Sequence, residues 1–207
     1  MPEVFTKYFP ELTEGQITKL LRLKSVYETW NSMINVISRK DMDNFFIHHV
    51  LHSMAIAKAV SFTPGTTIMD VGTGGGFPGI PLAICFPAAE FTLLDSIEKK
   101  IRVVTAVKEE LGLENIIPVR KRVEDENRKF HFIVSRAVTD FPAFVKITRK
   151  NLHTHGGNSL KNGILCLKGG DLKEELTPFN DFVRVWDIKD YFEEPFFETK
   201  KIVYLPV

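Results

Sequence analysis

The stretch IMDVGTGGGFPGIPLA, residues 68–83, places a short apolar run directly before a cluster of glycines. Such a run is typical of a buried strand, and the glycines predict a turn that leads from the strand into a helix. Glycine lets a ligand approach main-chain amides, and the start of a helix offers unpaired N–H groups. Pro78 and Pro81 are compatible with a first helical turn. The stretch therefore predicts a strand–turn–helix unit that binds an anionic or carboxylate-bearing ligand.

Three kinds of ligand compete for this turn. A loop for a nucleoside triphosphate would end in Gly-Lys-Ser or Gly-Lys-Thr, and the continuation Phe77-Pro78-Gly79 excludes that interpretation. Glycines at positions 74, 76 and 79 formally match the dinucleotide fingerprint, so a nicotinamide cofactor is the alternative. Asp70, two residues before the first glycine, would repel a pyrophosphate but suits the ammonium group of S-adenosylmethionine.

Charge therefore favours S-adenosylmethionine as the cofactor, bound by Asp70 and by the backbone at Gly72 and Gly74. Asp95 ends the apolar run FTLLD, where a carboxylate can accept hydrogen bonds from both ribose hydroxyls of either cofactor, and Ser96 follows it. A structural interpretation stays open, in which both aspartates only cap strand ends and the glycines only make a tight turn.

Outward from this unit, short apolar runs alternate with helix-like segments. The runs are TIMDV, FTLLD, NIIPV, FHFIVS and GILCLK. Strand alternating with helix predicts an α/β fold of the Rossmann type, with a mainly parallel sheet covered on both faces. The connection from NIIPV to FHFIVS is so short that we expect a single helical turn there. The runs DFVRVWDI and KKIVYLPV predict a C-terminal antiparallel hairpin added to the sheet.

The N-terminal part of the chain has a different texture. Residues 13–60 carry apolar side chains at helical spacing, with Thr13 as a candidate N-cap. We therefore predict an N-terminal helical extension, residues 1–62, followed by a Rossmann-like core, residues 63–207.

Composition and charge limit the partners and the compartment. The 207 residues include 27 Lys and Arg against 26 Asp and Glu, so a polyanion must be met by a local basic patch. Cys85 and Cys166 match no metal spacing and predict reduced core thiols. No signal pattern and no bilayer-length apolar run is found, so we expect a cytoplasmic protein with no membrane partner, and we expect a monomer.

Further motifs accompany the glycine-rich turn. They are YETWNSMIN and HHVLHSMAI in the N-terminal part, RVE at 122–124, VSRAV at 134–138 and LCLKGG at 165–170. Together with DVGTGGGFPGIPLA they resemble the ribosomal small-subunit methyltransferase G family (RsmG), also called glucose-inhibited division protein B (GidB). The glycine motif alone would indicate only a class I S-adenosylmethionine-dependent methyltransferase. The resemblance covers most of the chain and implies methylation of guanine N7 at position 527 of 16S rRNA, in the small ribosomal subunit or its precursor.

The resemblance also implies roles for single residues in binding the cofactor. It places Gly72 and Phe77 in the cofactor pocket, and Val123 with Glu124 against the adenine. For Glu124 the alternative is a solvated charge run, because its neighbours are also charged.

A second group of residues is expected near the RNA. The resemblance places Arg136, at the end of the fourth strand, close to the cofactor and the guanine, as the catalytic residue. A charge in this position is costly unless it is used, and the alternative is a structural salt bridge to Asp140. Lys168, at the end of the fifth strand, would hold a phosphate or else be a surface lysine. Arg39 and Lys40 are one of several basic clusters that would contact RNA phosphates.

The histidines mark departures from the family pattern. His52 stands where the family commonly has an acid in His-x-x-Asp-Ser, and His131 stands at another expected acid. We expect only local hydrogen bonding to change. His48 and His52 are spaced for a metal, but no carboxylate or cysteine cluster completes a site, so no metal is expected.

Overall fold

A computed structural model describes residues 2–34, 36–38, 41–136 and 140–207. Within these residues a single sheet contains strands β1 Thr67–Val71, β2 Glu90–Asp95, β3 Ile116–Arg120, β4 Phe132–Arg136, β5 Gly163–Gly169, β6 Arg184–Asp187 and β7 Lys200–Pro206. The order across the sheet is β3-β2-β1-β4-β5-β7-β6. Strands β1 to β5 pair in parallel, and β7 is antiparallel to both β5 and β6. The predicted fold class is confirmed, including the C-terminal hairpin.

Helices cover both faces of this sheet. They are α1 Pro2–Tyr8, α2 Glu14–Met33, α3 His52–Met54, α4 Ile56–Ala59, α5 Gly79–Cys85, α6 Glu98–Leu111, α7 Phe141–Thr148 and α8 Lys173–Leu176. One hydrophobic cluster joins α2, α5 and α6 to one face, and a second joins α7 and α8 to the other. In β1, Ile68 belongs to the first cluster and Met69 to the second, so the strand is apolar along both faces.

The short connection from β3 to β4 has the form expected from its length. It contains one turn of 3-10 helix, Val123–Asp125, packed beside α7. The prediction of a single helical turn is confirmed.

The N-terminal extension is helical in two parts. Helix α2 begins with a capping box, in which the Thr13 hydroxyl accepts from the Gln16 amide at 3.3 Å and the Gln16 side chain accepts from the Thr13 amide at 2.9 Å. Phe46–Leu51 is a π-helical segment that leads into α3 and α4. The prediction of helix between these parts is wrong, because the Asn31 side chain accepts from the Val36 and Ile37 amides and holds a non-helical turn.

The extension and the sheet share one core. Tyr27 of α2 and Phe45 lie in the same hydrophobic cluster as Phe77 and Leu93. Burial of aromatic side chains is a large stabilising term, so the two segments stabilise each other. The boundary between residues 62 and 63 stays a prediction.

Two expectations from composition can be compared with the structure. Cys85 and Cys166 are free thiols, and Cys166 is fully buried in the core. Among the described helices, none combines the length and apolarity needed to cross a bilayer.

Candidate active site

The glycine-rich turn follows β1 at the carboxyl edge of the sheet, where parallel α/β sheets bind their ligands. The amides of Gly72 and Thr73 donate to the Leu94 carbonyl at 2.9 and 3.0 Å, which ties the turn to the end of β2. Gly72 has a φ of 68°, and a Cβ there would meet no atom within 4 Å. Hydrogen bonds to the end of β2 therefore fix the turn, and its surface at Gly72 is open to solvent.

Asp70 lies beneath the turn and is fully buried. Its Oδ2 accepts from the Thr73 hydroxyl at 2.6 Å and from the Gly79 amide at 2.8 Å. Its Oδ1 is buried and has no hydrogen-bond partner among the described residues. Burial raises the pKa of Asp70 to about 7, against the opposing effect of its two hydrogen bonds. The carboxylate thus fixes the turn with one oxygen and has the other available for a ligand or a water.

The start of α5 differs from the expectation in one respect. The helix begins at Gly79, with Pro78 at the N-cap position and Pro81 within the first turn, as predicted. However, the first amide of the helix, that of Gly79, is taken by Asp70 and does not point to a ligand. A Cβ at Gly79 would lie 2.8 Å from Asp70 Oδ2, which explains why glycine is needed here.

Asp95 lies at the carboxyl end of β2, next to the same turn. Its Oδ2 accepts from the Gly74 amide at 3.0 Å, and its Oδ1 accepts from the Ile97 amide at 2.9 Å. The Lys100 ammonium also lies 3.6 Å from Oδ2. A carboxylate has about four lone-pair positions, so the two amides leave capacity for the hydroxyls of a ribose. Ser96 is exposed beside it, and Ile97 presents an exposed apolar side chain at the same edge.

Phe77 connects the turn to the N-terminal helices. Its ring lies 5.0 Å from the ring of Tyr27 and 6.0 Å from that of Phe45, and it is buried. The Tyr27 hydroxyl donates to the Gly75 carbonyl in the turn. Sequence reasoning missed Tyr27, although it begins the YETWNSMIN motif.

Arg136 is the last residue of β4, and its side chain extends to the glycine-rich turn. Its guanidinium lies 5.0 Å from the centre of the Phe77 ring, a cation–π contact. Its Nη1 donates to the His48 carbonyl at 3.2 Å, and its Nη2 lies 3.1 Å from His49 Nδ1. Burial lowers the pKa of Arg136 to about 10, with Asp70 as the main opposing influence, so the side chain stays charged at neutral pH.

The salt bridge considered for Arg136 is not formed in the described part of the chain. The Asp140 carboxylate instead accepts from the Ala143 amide at 2.8 Å and caps the start of α7. The salt bridge to Asp140 is therefore wrong as an alternative for Arg136, and the catalytic role of Arg136 stays a prediction.

The 3-10 turn after β3 places Val123 and Glu124 at the same edge of the sheet. Val123 is buried, whereas Glu124 is exposed and its carbonyl oxygen accepts from the Lys150 ammonium. Beside them Glu126, which sequence reasoning missed, is buried and bonded to both the backbone and the guanidinium of Arg128. These bonds lower the pKa of Glu126 to about 2, so it supports the turn as an ionised group.

Comparison with known proteins decides the family. The model of the GidB family, described as rRNA small subunit methyltransferase G, matches residues 16–201. The chain belongs to this family. It is 52% identical over 205 residues to "Ribosomal RNA small subunit methyltransferase G" of Phocaeicola vulgatus, covering 99% of this chain and 98% of that protein. A relative of the same name from Christiangramia forsetii is 53% identical over 210 residues, covering 99% and 97%.

Solved structures agree on the fold. A "SAM dependent methyltransferase" from Aquifex aeolicus superposes with a TM-score of 0.57 at 15% identity, covering 82% of this chain and 98% of that one. Because the chain belongs to the rRNA small subunit methyltransferase G family, its cofactor is S-adenosylmethionine. The residues present fit it, because the Oδ1 of Asp70, which has no partner among the described residues, would suit a positively charged amino group, and the Asp95 carboxylate would suit a ribose diol. The assignment of single residues to the cofactor stays a prediction.

Besides Arg136, the residues expected to bind RNA are Lys168, Arg39 and Lys40. Lys168 is only 8% exposed and pairs with Glu175, which also accepts from the Phe141 amide at 2.5 Å. The alternative that Lys168 is a surface lysine is wrong, and a contact with phosphate would require this ion pair to open. Arg39 and Lys40 lie outside the described residues.

The two histidines that depart from the family pattern are used locally. His131 Nδ1 accepts from the Thr67 amide at 3.0 Å, at the start of β1. His52 is buried with no partner for its Nε2 among the described residues, and burial holds its pKa well below the usual value. Among the described residues, no three His, Cys, Asp or Glu side chains lie together as the ligands of a metal ion would.

The His48 side chain contacts the carboxylate of Asp41. Its Nδ1 lies 2.5 Å from Asp41 Oδ1, and His49 Nε2 lies 2.6 Å from Asp41 Oδ2. Sequence reasoning missed both Asp41 and His49. No local pattern predicts the hydrogen bond from Arg136 in β4 to His49 in the extension, and Asp41 bonds to the two histidines from an irregular segment.

Proposed function

We propose that this enzyme transfers the methyl group of S-adenosylmethionine to N7 of the guanine at position 527 of 16S rRNA. The names of the two relatives assign small-subunit rRNA to those proteins as substrate, and the match extends over nearly their whole length. The observation that carries the proposal is the contact between Arg136 and Phe77, because it places a cationic hydrogen-bond donor directly beside the glycine-rich turn.

Methyl transfer to guanine N7 requires correct positioning of the substrate and does not require a general base. The bound cofactor supplies a methyl group on a positively charged sulfur. Guanine N7 has an available lone pair and loses no proton when it attacks, so correct orientation is the main contribution of the protein. A cation next to N7 would oppose the reaction. Arg136, with five N–H donors in a planar fork, would therefore bind O6 or a phosphate and leave N7 accessible.

The cofactor would be held at the carboxyl edge by residues from four elements. Asp70 would face the ammonium group, directly or through a water, and Asp95 with Ser96 would bind the ribose. Val123 and Glu124 would face the adenine. The remaining contacts would come from the turn itself, at Gly72, Gly74 and Phe77.

The substrate is 16S rRNA, either naked or within the small subunit or its precursor, and we propose a monomeric enzyme in the cytoplasm. Phosphate contacts would come from Arg136, Lys168, Arg39 and Lys40, because Lys and Arg side chains supply most of the affinity for RNA. Light scattering after size-exclusion chromatography would test the monomer, and a dimer mass would contradict it.

Two experiments test the function. In the first, mass mapping compares 16S rRNA from cells with and without the protein, and the guanine at 527 should lose its methyl group only in its absence. Methylation that persists at N7, or that disappears at another nucleotide, would contradict the proposal. Naked rRNA, an assembly intermediate and the mature subunit can then be compared as substrates in vitro.

The second experiment is a calorimetric titration with S-adenosylmethionine, NAD and NADP. We expect binding of the first alone. Binding of a dinucleotide with no response to S-adenosylmethionine would favour an oxidoreductase. RNA binding that is indifferent to every cofactor would favour a non-catalytic RNA-binding protein.

A further inference from the structure

A chain of hydrogen bonds runs from the N-terminal extension to the catalytic edge of the sheet. Asp41 Oδ2 lies 2.6 Å from His49 Nε2, and His49 Nδ1 lies 3.1 Å from Arg136 Nη2. The His49 side chain is 12% exposed, so water does not easily replace either bond. The ring nitrogens of His49 therefore join a carboxylate to a guanidinium.

The chemistry of the partners fixes the protonation of the His49 ring. A guanidinium has only donors, so Nδ1 must accept and carries no hydrogen. A carboxylate has only acceptors, so Nε2 must carry the hydrogen that it donates to Asp41. Only the neutral ring protonated on Nε2 satisfies both bonds. Burial and the charge of Arg136 lower the pKa of His49 to about 4, against the opposing effect of Asp41, which agrees with a neutral ring.

Asp41 is itself held from a second direction. Its Oδ1 lies 2.5 Å from His48 Nδ1, and the His48 ring stacks on Phe196 with 3.9 Å between ring centres. Phe196 lies in the connection between β6 and β7, and the Lys200 ammonium lies 4.8 Å from the centre of its ring. The orientation of Asp41 is thus set from the C-terminal hairpin as well as from the extension.

We infer that His49 is a positioning residue, which holds the guanidinium of Arg136 at the edge of the glycine-rich turn, and that Asp41 selects the ring tautomer on which this depends. The cation–π contact with Phe77 fixes the distance of the guanidinium from the turn but leaves its in-plane orientation open. The bond to His49 and the bond to the His48 carbonyl fix that orientation. The inference rests on the proposed function in one respect, because Arg136 must act in methyl transfer.

Three substitutions of His49 separate positioning from packing. The side-chain oxygen of Asn lies two bonds beyond Cβ, as Nδ1 does, so His49→Asn keeps an acceptor for Arg136 and loses the contact with Asp41. The polar atoms of Gln lie three bonds beyond Cβ, as Nε2 does, so His49→Gln keeps the contact with Asp41 and loses the acceptor. His49→Leu loses both. The exposed residue His155 provides the control, His155→Asn.

The measurement is the single-turnover rate of methylation at saturating 16S rRNA and cofactor, with the dissociation constant of S-adenosylhomocysteine measured in parallel. We expect His49→Gln and His49→Leu to lower the rate by about tenfold to a hundredfold, with His49→Asn within about threefold of wild type. Cofactor affinity should change by less than twofold. Equal loss in all three variants, in step with their melting temperatures, would show that His49 only packs.

A readout that needs no RNA keeps the inference separate from the proposed function. The nitrogen chemical shifts of the His49 ring, measured on the wild-type protein at pH 7, should report a neutral ring protonated on Nε2. Asp41→Asn should shift the population toward the other tautomer, because an amide can donate to Nε2. A ring protonated on Nδ1 in the wild type would overturn the inference even if methylation is observed. The expected tautomer without methylation of 16S rRNA would instead refute the proposed function alone.

Discussion

The hydroxyl of Tyr27 donates a hydrogen bond to the carbonyl of Gly75, so a helix of the N-terminal extension holds the centre of the glycine-rich turn. Tyr27 is fully buried, and its ring also contacts Phe77. The extension is thus packed directly against the glycine-rich turn and is not a separate module beside it.

Replacing Tyr27 by Phe tests this relationship. Tyr27→Phe keeps the ring contacts and leaves the Gly75 carbonyl unpaired, which should cost about 1 kcal/mol of stability. Tyr204→Phe is the matched control, because the buried Tyr204 hydroxyl donates to the Lys161 carbonyl at 2.7 Å, far from the turn. We expect both to lose stability in urea and only Tyr27→Phe to weaken calorimetric binding of S-adenosylmethionine. Equal cofactor affinity in the two variants would contradict the prediction.

A methyl group at Gly79 should displace Asp70. The added Cβ would lie 2.8 Å from Asp70 Oδ2 and 2.8 Å from Leu93 Cγ, both in the packed core. We expect Gly79→Ala to lose about 1–3 kcal/mol of stability and most of its cofactor binding. The control Gly157→Ala meets nothing within 4 Å and should change neither. Normal cofactor affinity in Gly79→Ala would mean that Asp70 is not needed in its present position.

Cofactor affinity should depend on the ionisation of Asp70, whose pKa is raised to about 7 by burial. The carboxyl is mostly neutral at pH 6 and mostly ionised at pH 8, and only the ionised form attracts an ammonium group. S-adenosylhomocysteine should therefore bind about tenfold more tightly at pH 8 than at pH 6. Methylthioadenosine, which lacks the amino acid end, should show no such change. A pH dependence that survives in Asp70→Asn would assign it to another group.

Arg136 and Asp140 should have separate effects when each is replaced. Arg136→Ala should lower the single-turnover rate by about tenfold to a hundredfold, because a charge-assisted contact in the transition state is lost. Asp140→Ala should leave the rate unchanged and cost about 1 kcal/mol through loss of the α7 cap. Wild-type turnover by folded Arg136→Ala would remove Arg136 from the active site.

Much of the fold could be predicted because its signals are local. The apolar run before the glycines, the alternation of strands with helices and the Thr13 capping box each depend on a few neighbouring residues. The break after α2 could not be predicted, since it depends on one side chain, Asn31, that bonds to the backbone of Val36 and Ile37 instead of facing solvent.

The candidate site was predicted in part for the same reason. Asp95 and Arg136 end strands of a parallel sheet, Asp70 is the last residue but one of β1, and strand ends meet at one edge. Tyr27 and His49 could not be found in this way, because their bonds to Gly75 and Arg136 span 48 and 87 positions of the chain. Asp41 is only seven and eight positions from His48 and His49, but the irregular backbone between them has no period that would predict the contact. Long-range hydrogen bonds leave no periodic signal in the sequence.

Among the described strands, β6 lies at the edge of the sheet and pairs only with β7, which follows it in the chain. A ribosome that translates this protein therefore releases β6 before the strand with which it pairs, and β5 keeps an open edge until β7 emerges. An open edge can pair with another chain, so the nascent protein can aggregate through β5 during this interval. Phe196 lies just before β7, and its stacking on His48 must wait for the same event. The emergence of β7 is thus also the step that completes the surroundings of Asp41 and, through His49, those of Arg136.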